Sequence, residues 1–216
     1  MKSVFIAGST GYLGSRLADE LLQRGYAVEA LVRKGSEAKT PAGCKKITGD
    51  ALRPESYQDG ISSKTFVHLV GVSNPSPAKA KLFRSIDLPA AFASADAAVH
   101  AGVQHFIYLS VAHPAPVMKA YIQTRMEAEE KLRSSGLNAT ILRPWYVLGP
   151  GHRWAYALIP FYKVFELIPA TREGARRCGL VTLKQMLLAL LDAVENPFSG
   201  IRIVEVPEIW HTRAAR

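Results

Sequence analysis

Residues 2–14 read Lys2-Ser3-Val4-Phe5-Ile6-Ala7-Gly8-Ser9-Thr10-Gly11-Tyr12-Leu13-Gly14. The first six are short, apolar and rich in β-branched and aromatic side chains, the signature of a buried strand. From Ser15 to Arg24, the residues Leu17, Leu21 and Leu22 fall at helical spacing. Gly8, Gly11 and Gly14 therefore lie on a strand-to-helix turn. Such a turn aims the free N–H groups of a helix start at one point, which suits a phosphate. In a dinucleotide-binding turn, the first glycine lets the chain turn sharply. The second lets a pyrophosphate approach the backbone, and the third brings the helix against the strand. A Gly-rich turn without a ligand could carry the same letters. Its place between a strand and an amphipathic helix is the context that dinucleotide binding requires. Gly8, Ser9, Thr10, Gly11, Tyr12, Leu13 and Gly14 are accordingly the first candidate nucleotide-binding residues.

The next strand, Tyr26 to Val32, is followed at once by Arg33, Lys34 and Gly35. A site that prefers NAD places a carboxylate at the end of this strand, roughly 20 residues past the glycine turn, to hold the ribose 2′-hydroxyl. Arg33 stands there instead. Its guanidinium can pair bidentately with a 2′-phosphate, so NADP is the expected cofactor rather than NAD. Glu29 is the rival acceptor, but it sits inside the strand and is read as facing away. Without a ligand, Arg33 and Lys34 would be two surface cations beside a turn.

Lys45 to Thr48 and Lys64 to Val70 read as two further strands, ending in Gly49-Asp50 and His68-Leu69-Val70-Gly71. In a parallel sheet both ends lie on the ligand-binding edge with the glycine turn. Asp50 can accept from an adenine amino group or cap the turn before Pro54-Glu55, and Gly71 would keep the cofactor channel open. Pro89 marks the first turn of a helix from Ala90 to Ala101. Gln104 to Leu109 is a strand that ends at Ser110, again on that edge. A helix from Lys119 to Ser134 is stopped by Gly136, and a strand follows from Asn138 to Leu142. Arg143 to Gly151 is a turn-rich exit. Beyond it come an aromatic helical stretch over 153–167, a helix from Leu183 to Glu195, a strand from Ile201 to Val206, and a loose tail from Glu208. This alternation predicts an α/β fold, a Rossmann-type doubly wound parallel sheet. Residues 1–216 form one domain, in which 151–216 contribute a small C-terminal lid region.

The 216 residues suffice for one sizeable core, and 48% apolar with 21% charged residues is ordinary for a globular protein. Cys44 and Cys178 lie far apart without metal-ligand spacing, so free thiols, no metal and a reducing cytoplasm are expected. No signal peptide is read at the N-terminus, because Gly8 and Gly11 interrupt the apolar run. The formal charge of +9 comes from dispersed basic residues. It biases the surface towards anions, and no tract interleaves arginine with aromatics as nucleic-acid binding would require. The most apolar stretch, Trp154 to Ala170, is interrupted by Pro160, Lys163, Glu166 and Pro169 and is too short for an integral membrane segment. It reads as a buried or pocket-lining helix, with peripheral contact to a membrane or a second subunit as the alternative. A homo-oligomer is compatible with the sequence.

Three residues form the candidate chemistry. A tyrosine serves as acid or base near neutral pH when a cation lowers its pKa, and Tyr121 and Arg125 lie one helical turn apart. A hydroxyl such as that of Ser110 can hold a substrate oxygen. His113, close to Ser110, has no acidic partner that the sequence places, so a Ser-His hydrolase is not expected. Trp145 and Tyr146 can line a pocket or fill a core, and His152 can reach a substrate anion or sit in a solvated loop.

With these pieces in view, the chain resembles the short-chain dehydrogenase/reductase superfamily. Within it, the likeness is to the extended and atypical branches, the NAD-dependent epimerase/dehydratase-like and NmrA-like NAD(P)-binding proteins. The resemblance rests on GSTGYLG at 8–14, Arg33, GD at 49–50, HLVG at 68–71, FIYLS at 106–110, YxxxR at 121–125, LRPWYVLGPG at 142–151 and VTLKQMLLALLDAVENP at 181–197. It implies nucleotide binding by the glycine turn, Arg33, Asp50, Ala51, Gly71, Arg125 and Pro144. It also implies substrate polarisation by Ser110, proton transfer by Tyr121, and a small carbonyl or hydroxyl substrate beside Trp145, Tyr146 and His152. The family pattern has lysine where this chain has Arg125. Arginine keeps the charge but does not readily give up a proton, so electrostatic support of Tyr121 is retained and a proton relay through the side chain is not. A cofactor-binding protein without turnover, serving as a redox sensor or assembly subunit, is therefore the second expectation. Nucleic-acid binding is the third.

Overall fold

The computed structural model describes residues 2–150, 165 and 167–212. In chain order the principal elements are β1 (Ser3–Ala7), α1 (Tyr12–Gln23), β2 (Ala27–Val32), β3 (Lys45–Thr48), β4 (Thr65–His68), α2 (Leu88–His100), β5 (His105–Leu109), α3 (Lys119–Ser134), β6 (Ala139–Arg143), β7 (Tyr146–Leu148), α4 (Pro169–Arg177), β8 (Leu180–Thr182), α5 (Leu183–Glu195), β9 (Ile201–Glu205) and α6 (Val206–His211). A run of short helical turns over 77–87 leads into α2.

β1 explains why layers form on both sides of the sheet. Side chains alternate along a strand. Val4 and Ile6 pack with Leu17 and Leu21 of α1 and with Leu190 of α5. Phe5 and Ala7 face the other way, towards Ala91, Ala95 and Ala98 of α2 and Leu132 of α3. A strand buried on both faces reads as continuously apolar, as this one does. On the α2 side the aromatic rings run in a row across three strands, Phe5 to Phe66 at 4.7 Å and Phe66 to Phe106 at 5.0 Å between centroids. The alanines of α2 leave room for these rings. Each such buried side chain stabilises the fold by about 1.5–3 kcal/mol.

Among the described residues, seven strands form one parallel sheet in the order β3-β2-β1-β4-β5-β6-β9, and β7 pairs separately with β8. The register aligns the carboxyl ends, with Ala7 opposite both Leu31 and His68, and Leu109 opposite Leu142. The strand order reverses between β1 and β4, which opens a crevice at that edge. This is the expected Rossmann-type topology.

The C-terminal part is more integral than the sequence reading held. α5 covers the sheet beside α1, starting from a capping box in which Thr182 and Gln185 bond reciprocally. β9 joins the sheet beside β6. The segment read as a loose tail from Glu208 is ordered through α6: Ile209 is fully buried, and Trp210 Nε1 donates to the Leu180 carbonyl at 2.9 Å. Among the described residues of this part, those around α4 stand beside Trp145 and Tyr146 at the carboxyl edge.

Candidate functional site

The glycine turn is shaped by steric necessity. Gly8 has φ of +92°, and a Cβ there would lie 2.8 Å from the Leu69 carbonyl carbon at the end of β4. A Cβ on Gly14 would overlap the Gly8 carbonyl oxygen, so α1 crosses the turn at a distance only glycine permits. Ser9 is buried and donates from Oγ to the Leu31 carbonyl at 3.1 Å, tying the turn to the end of β2. Thr10 is exposed. The Arg16 guanidinium lies 4.4 Å above the Tyr12 ring, and Leu13 packs on the core. The helix start at Gly11 has no side-chain cap and no acidic residue in its first turn. An α1 terminus left uncapped above a glycine cradle fits the pyrophosphate of a dinucleotide.

Arg33 is exposed immediately after β2, and among the described residues its side chain makes no ion pair or hydrogen bond. Glu29 is turned into a different network. It is 3% exposed and accepts from Lys45 Nζ at 2.8 Å, Ser62 Oγ at 2.6 Å and Ser63 Oγ at 2.8 Å. Burial works against its charge, but these donors overcome it and hold the carboxyl down at about 2. Asp50 accepts from the Leu52 amide at 3.0 Å, and its own amide donates to Ser56 Oγ at 2.9 Å. It therefore organises the turn that carries Ala51, both half-buried on the sheet edge. Across the crevice a Cβ on Gly71 would meet Arg125 Nη2 at 2.6 Å.

Tyr121, Arg125 and Glu129 are spaced by four residues on α3 and so share a face. Tyr121 is half-buried, packed on Phe83 at 4.9 Å, with the Arg125 guanidinium 5.0 Å from its ring centroid. Arg125 is itself 5% exposed. Its Nη2 meets Asp87 Oδ2 at 2.9 Å, and its Nη1 donates to the Leu109 carbonyl at 3.1 Å and to Tyr108 Oη at 3.2 Å. Burial opposes the charge, but Tyr108, Tyr121 and Asp87 raise the Arg125 pKa and keep it cationic. Asp87 was not singled out in the sequence. It is fully buried, and its Oδ1 accepts from the Val72 amide at 2.8 Å, so it links the Gly71 loop to Arg125.

Ser110 is held apart from this pair. Its Oγ donates to Glu129 Oε1 at 2.6 Å, and Glu129 also accepts from Arg143 Nε at 3.0 Å. Burial works against the Glu129 charge, but Arg143 and Ser110 hold its carboxyl below the ordinary range. His113 Nε2 stands 3.5 Å from the same oxygen. The acidic neighbour that His113 lacks in sequence is thus Glu129. Yet the carboxylate lies between serine and imidazole, and the serine hydroxyl is directed to it rather than to the histidine, the wrong order for a nucleophilic triad. The pairing with β6 continues past β5, since the Ser110 and Ala112 amides donate to Leu142 and Pro144 at 2.8 and 3.0 Å. Neighbouring side chains consequently point to opposite sides.

On the other side lies a cavity of about 920 Å³, lined by Val111, Tyr121, Trp145 and Tyr146 at the sheet edge and by Gly174, Ala175 and Cys178 of the α4 segment. Tyr121, Trp145 and Tyr146 are thus brought together, and Val111 rather than Ser110 shares their wall. Pro144 is buried beside them, its carbonyl accepting from Ala112. His152 and the greater part of the aromatic stretch lie outside the described residues.

Comparison with known proteins agrees with this geometry. Residues 8–158 match a family described as NAD(P)H-binding. The chain is similar to a ceramide reductase of Caulobacter vibrioides, with 24% identity over 95% of this chain and 64% of that protein. It is also similar to photosystem II assembly factor Ycf39 of Cyanophora paradoxa, with 29% identity over 65% of this chain and 44% of that protein. The chain therefore spans less than two thirds of either relative. Among solved structures, Bordetella bronchiseptica WbmH in complex with NAD+ superposes with a TM-score of 0.69 at 22% identity, covering 93% of this chain and 74% of that one.

Proposed function

The chain belongs to the NAD(P)H-binding family, and we propose that within it the protein is an NADPH-dependent reductase of a carbonyl compound, with Tyr121 as the proton donor. The observation that carries this reading is the position of Tyr121: on the wall of a large cavity at the ligand edge of the sheet, with the Arg125 guanidinium over its ring. A phenol on that wall is within the space where a substrate oxygen would take up a proton. The nicotinamide supplies the hydride, and the protein's part is orientation and the proton. Gly8, Gly11 and Gly14 with the open start of α1 hold the pyrophosphate. Asp50, Ala51, Gly71 and Pro144 border the rest of the nucleotide. Arg33 recognises the 2′-phosphate, and the engagement of Glu29 by Lys45 and the two serines supports this by removing the rival carboxylate from the ribose. Trp145 and Tyr146 flank the substrate. Ser110 would have to leave Glu129 to reach it, so it acts by fixing α3 against β5.

Fluorescence titration with NADPH and NADH tests the cofactor assignment. Tighter binding of NADPH, lost in Arg33→Gln, is expected, and equal affinities would remove Arg33 from the site. Tyr121→Phe should abolish any activity found in a carbonyl screen while leaving NADPH binding intact; unchanged turnover would exclude the proton-donor role. One observation favours a second reading, a cofactor-binding protein without turnover. Val111 stands where a hydroxyl would have to share the cavity wall with Tyr121. NADPH binding with no activity across the screen would select that reading.

A further inference from the structure

We propose that the π-helical turn Phe83–Asp87 sets the position of Tyr121, with Phe83 as its positioning residue. The proposal rests on the reading of Tyr121 as proton donor and adds what holds it in place. Tyr121 stands in the first turn of α3, where a helix frays unless it is tied down. Among the described residues that start has no side-chain cap, its first turn has no acidic residue, and Met118 before it has φ of +60°. The local chain therefore does little to fix the phenol, and contacts from 83–87 do more. Phe83 is 1% exposed and packs its ring on that of Tyr121 at 4.9 Å, with 57° between the planes, the geometry of a tilted aromatic pair. Four residues on, Asp87 Oδ2 meets Arg125 Nη2 at 2.9 Å. Phe83 and Asp87 are the two ends of the π-helical turn, and Tyr121 and Arg125 lie one turn apart on α3. The two segments thus meet in register through one apolar and one ionic contact. Arg84 adds an exposed ion pair with Glu127 of α3. Asp87 Oδ1 also accepts from the Val72 amide at 2.8 Å, which fastens the same turn to the Gly71 loop. The proton donor and the loop that borders the nucleotide therefore share one anchor. A single π-helical turn between helical segments is rare and recurs at functional sites. Asp87 acts on the pair through charge, whereas Phe83 has no polar group and acts on Tyr121 by packing.

Steady-state reduction of para-nitrobenzaldehyde and of phenanthrenequinone by the whole chain, followed by the loss of NADPH absorbance, provides the test, with NADPH affinity measured by fluorescence. Phe83→Leu keeps an apolar side chain and removes the ring. It should lower kcat by about tenfold to hundredfold, the effect of displacing a reacting group by about 1 Å, while KM and NADPH affinity stay unchanged. Phe83→Met, whose flexible thioether fills irregular space, carries the same expectation should Phe83→Leu not fold. Leu190→Ala, a fully buried change in α5 on the opposite face of the sheet, is the control for lost stability alone. It should lower the urea midpoint and leave kcat as in the parent. A Phe83 variant with the parent's kcat overturns the proposal. So does an equal fall in kcat in Leu190→Ala, or a loss carried by KM or NADPH affinity instead of kcat. Failure here and failure of the underlying reading are distinct. An active parent that Tyr121→Phe silences and the Phe83 variants leave untouched loses only the role of Phe83. A parent that turns over neither carbonyl, or a Tyr121→Phe chain as active as the parent, removes the proton-donor reading and this proposal with it.

Discussion

Removing the charge of Asp87 is the most informative single perturbation of this molecule. Asp87 is fully buried, Arg125 is 5% exposed, and their oxygen and nitrogen lie 2.9 Å apart. An arginine cannot shed its proton in a protein, so Asp87→Ala leaves a guanidinium buried with no counter-charge. It also strips the Val72 amide of its acceptor. Breaking a buried pair from one side costs about 3–5 kcal/mol, out of a total stability of about 5–15 kcal/mol for a domain. Asp87→Asn isolates the electrostatic part. It keeps the shape and an oxygen for Val72, so it should cost less than Asp87→Ala yet still at least about 2 kcal/mol. Replacing both partners, Asp87→Leu with Arg125→Met, removes the charges together. Its cost should fall short of the sum of the single replacements by at least about 2 kcal/mol, because no lone charge is left inside. Urea unfolding followed by fluorescence gives these values, with an unchanged m-value confirming that stability alone has moved. Additive costs in the cycle, or an Asp87→Asn variant within about 0.5 kcal/mol of the parent, would refute the view that this pair is the fixed point between the Gly71 loop, β5 and α3.

Three further outcomes follow from the geometry. Gly14→Ala places a methyl group against the Gly8 carbonyl oxygen; it should cost about 1–3 kcal/mol by overpacking and weaken NADPH binding in titration, and a variant equal to the parent in both would contradict the turn. Acid should destabilise the chain in two steps. Burial, aided by the Arg125 charge, holds His68 at about 3, and burial holds His105 at about 4, so both are neutral when folded and take up protons on unfolding. Their contribution is complete above about 6.5 and is lost as pH falls towards 4 and 3, at about 1.4 kcal/mol per pH unit for each proton fully engaged. Glu29, held at about 2, adds a loss that begins only below about 4.5. Urea midpoints that stay flat from pH 7 to pH 5 would exclude the histidine contribution. Thr182→Ala removes a capping box from α5 and should lower stability by about 1 kcal/mol without changing NADPH affinity.

How much of this was legible in the sequence depended on whether the signal was local. Glycines between a strand and a helix announce themselves, and so do periodic runs: β3, α3 and α5 occupy the residues that their patterns predict, Lys45–Thr48, Lys119–Ser134 and Leu183–Glu195. α6 was missed although a local sign existed, since Glu205 and Glu208 have capping-box spacing around Pro207. β7 and β8 were missed because each has only three residues and pairs with a partner distant in the chain. Asp87 lies 38 residues from Arg125 and Glu129 lies 19 from Ser110; ion pairs and hydrogen bonds of that separation leave no periodic trace.

The division between Ser110 and Tyr121 turns on a strand's period of two. Because the β6 ladder carries on through the amides of Ser110 and Ala112, one residue of register decides which side chain enters the cavity and which joins the buried ion pairs. Val111 enters, and Ser110 is committed to Glu129 at 2.6 Å. A serine followed eleven residues later by a tyrosine looks in sequence like one site. In three dimensions Ser110 secures α3 to the sheet, and α3 in turn carries Tyr121 to the cavity with Arg125 fixed behind it by Asp87. The proposed proton donor is therefore positioned from behind by buried charge, and Val111 and Trp145 stand beside it on the cavity wall. A carbonyl entering that space would find its proton at Tyr121 and no second hydroxyl from β5.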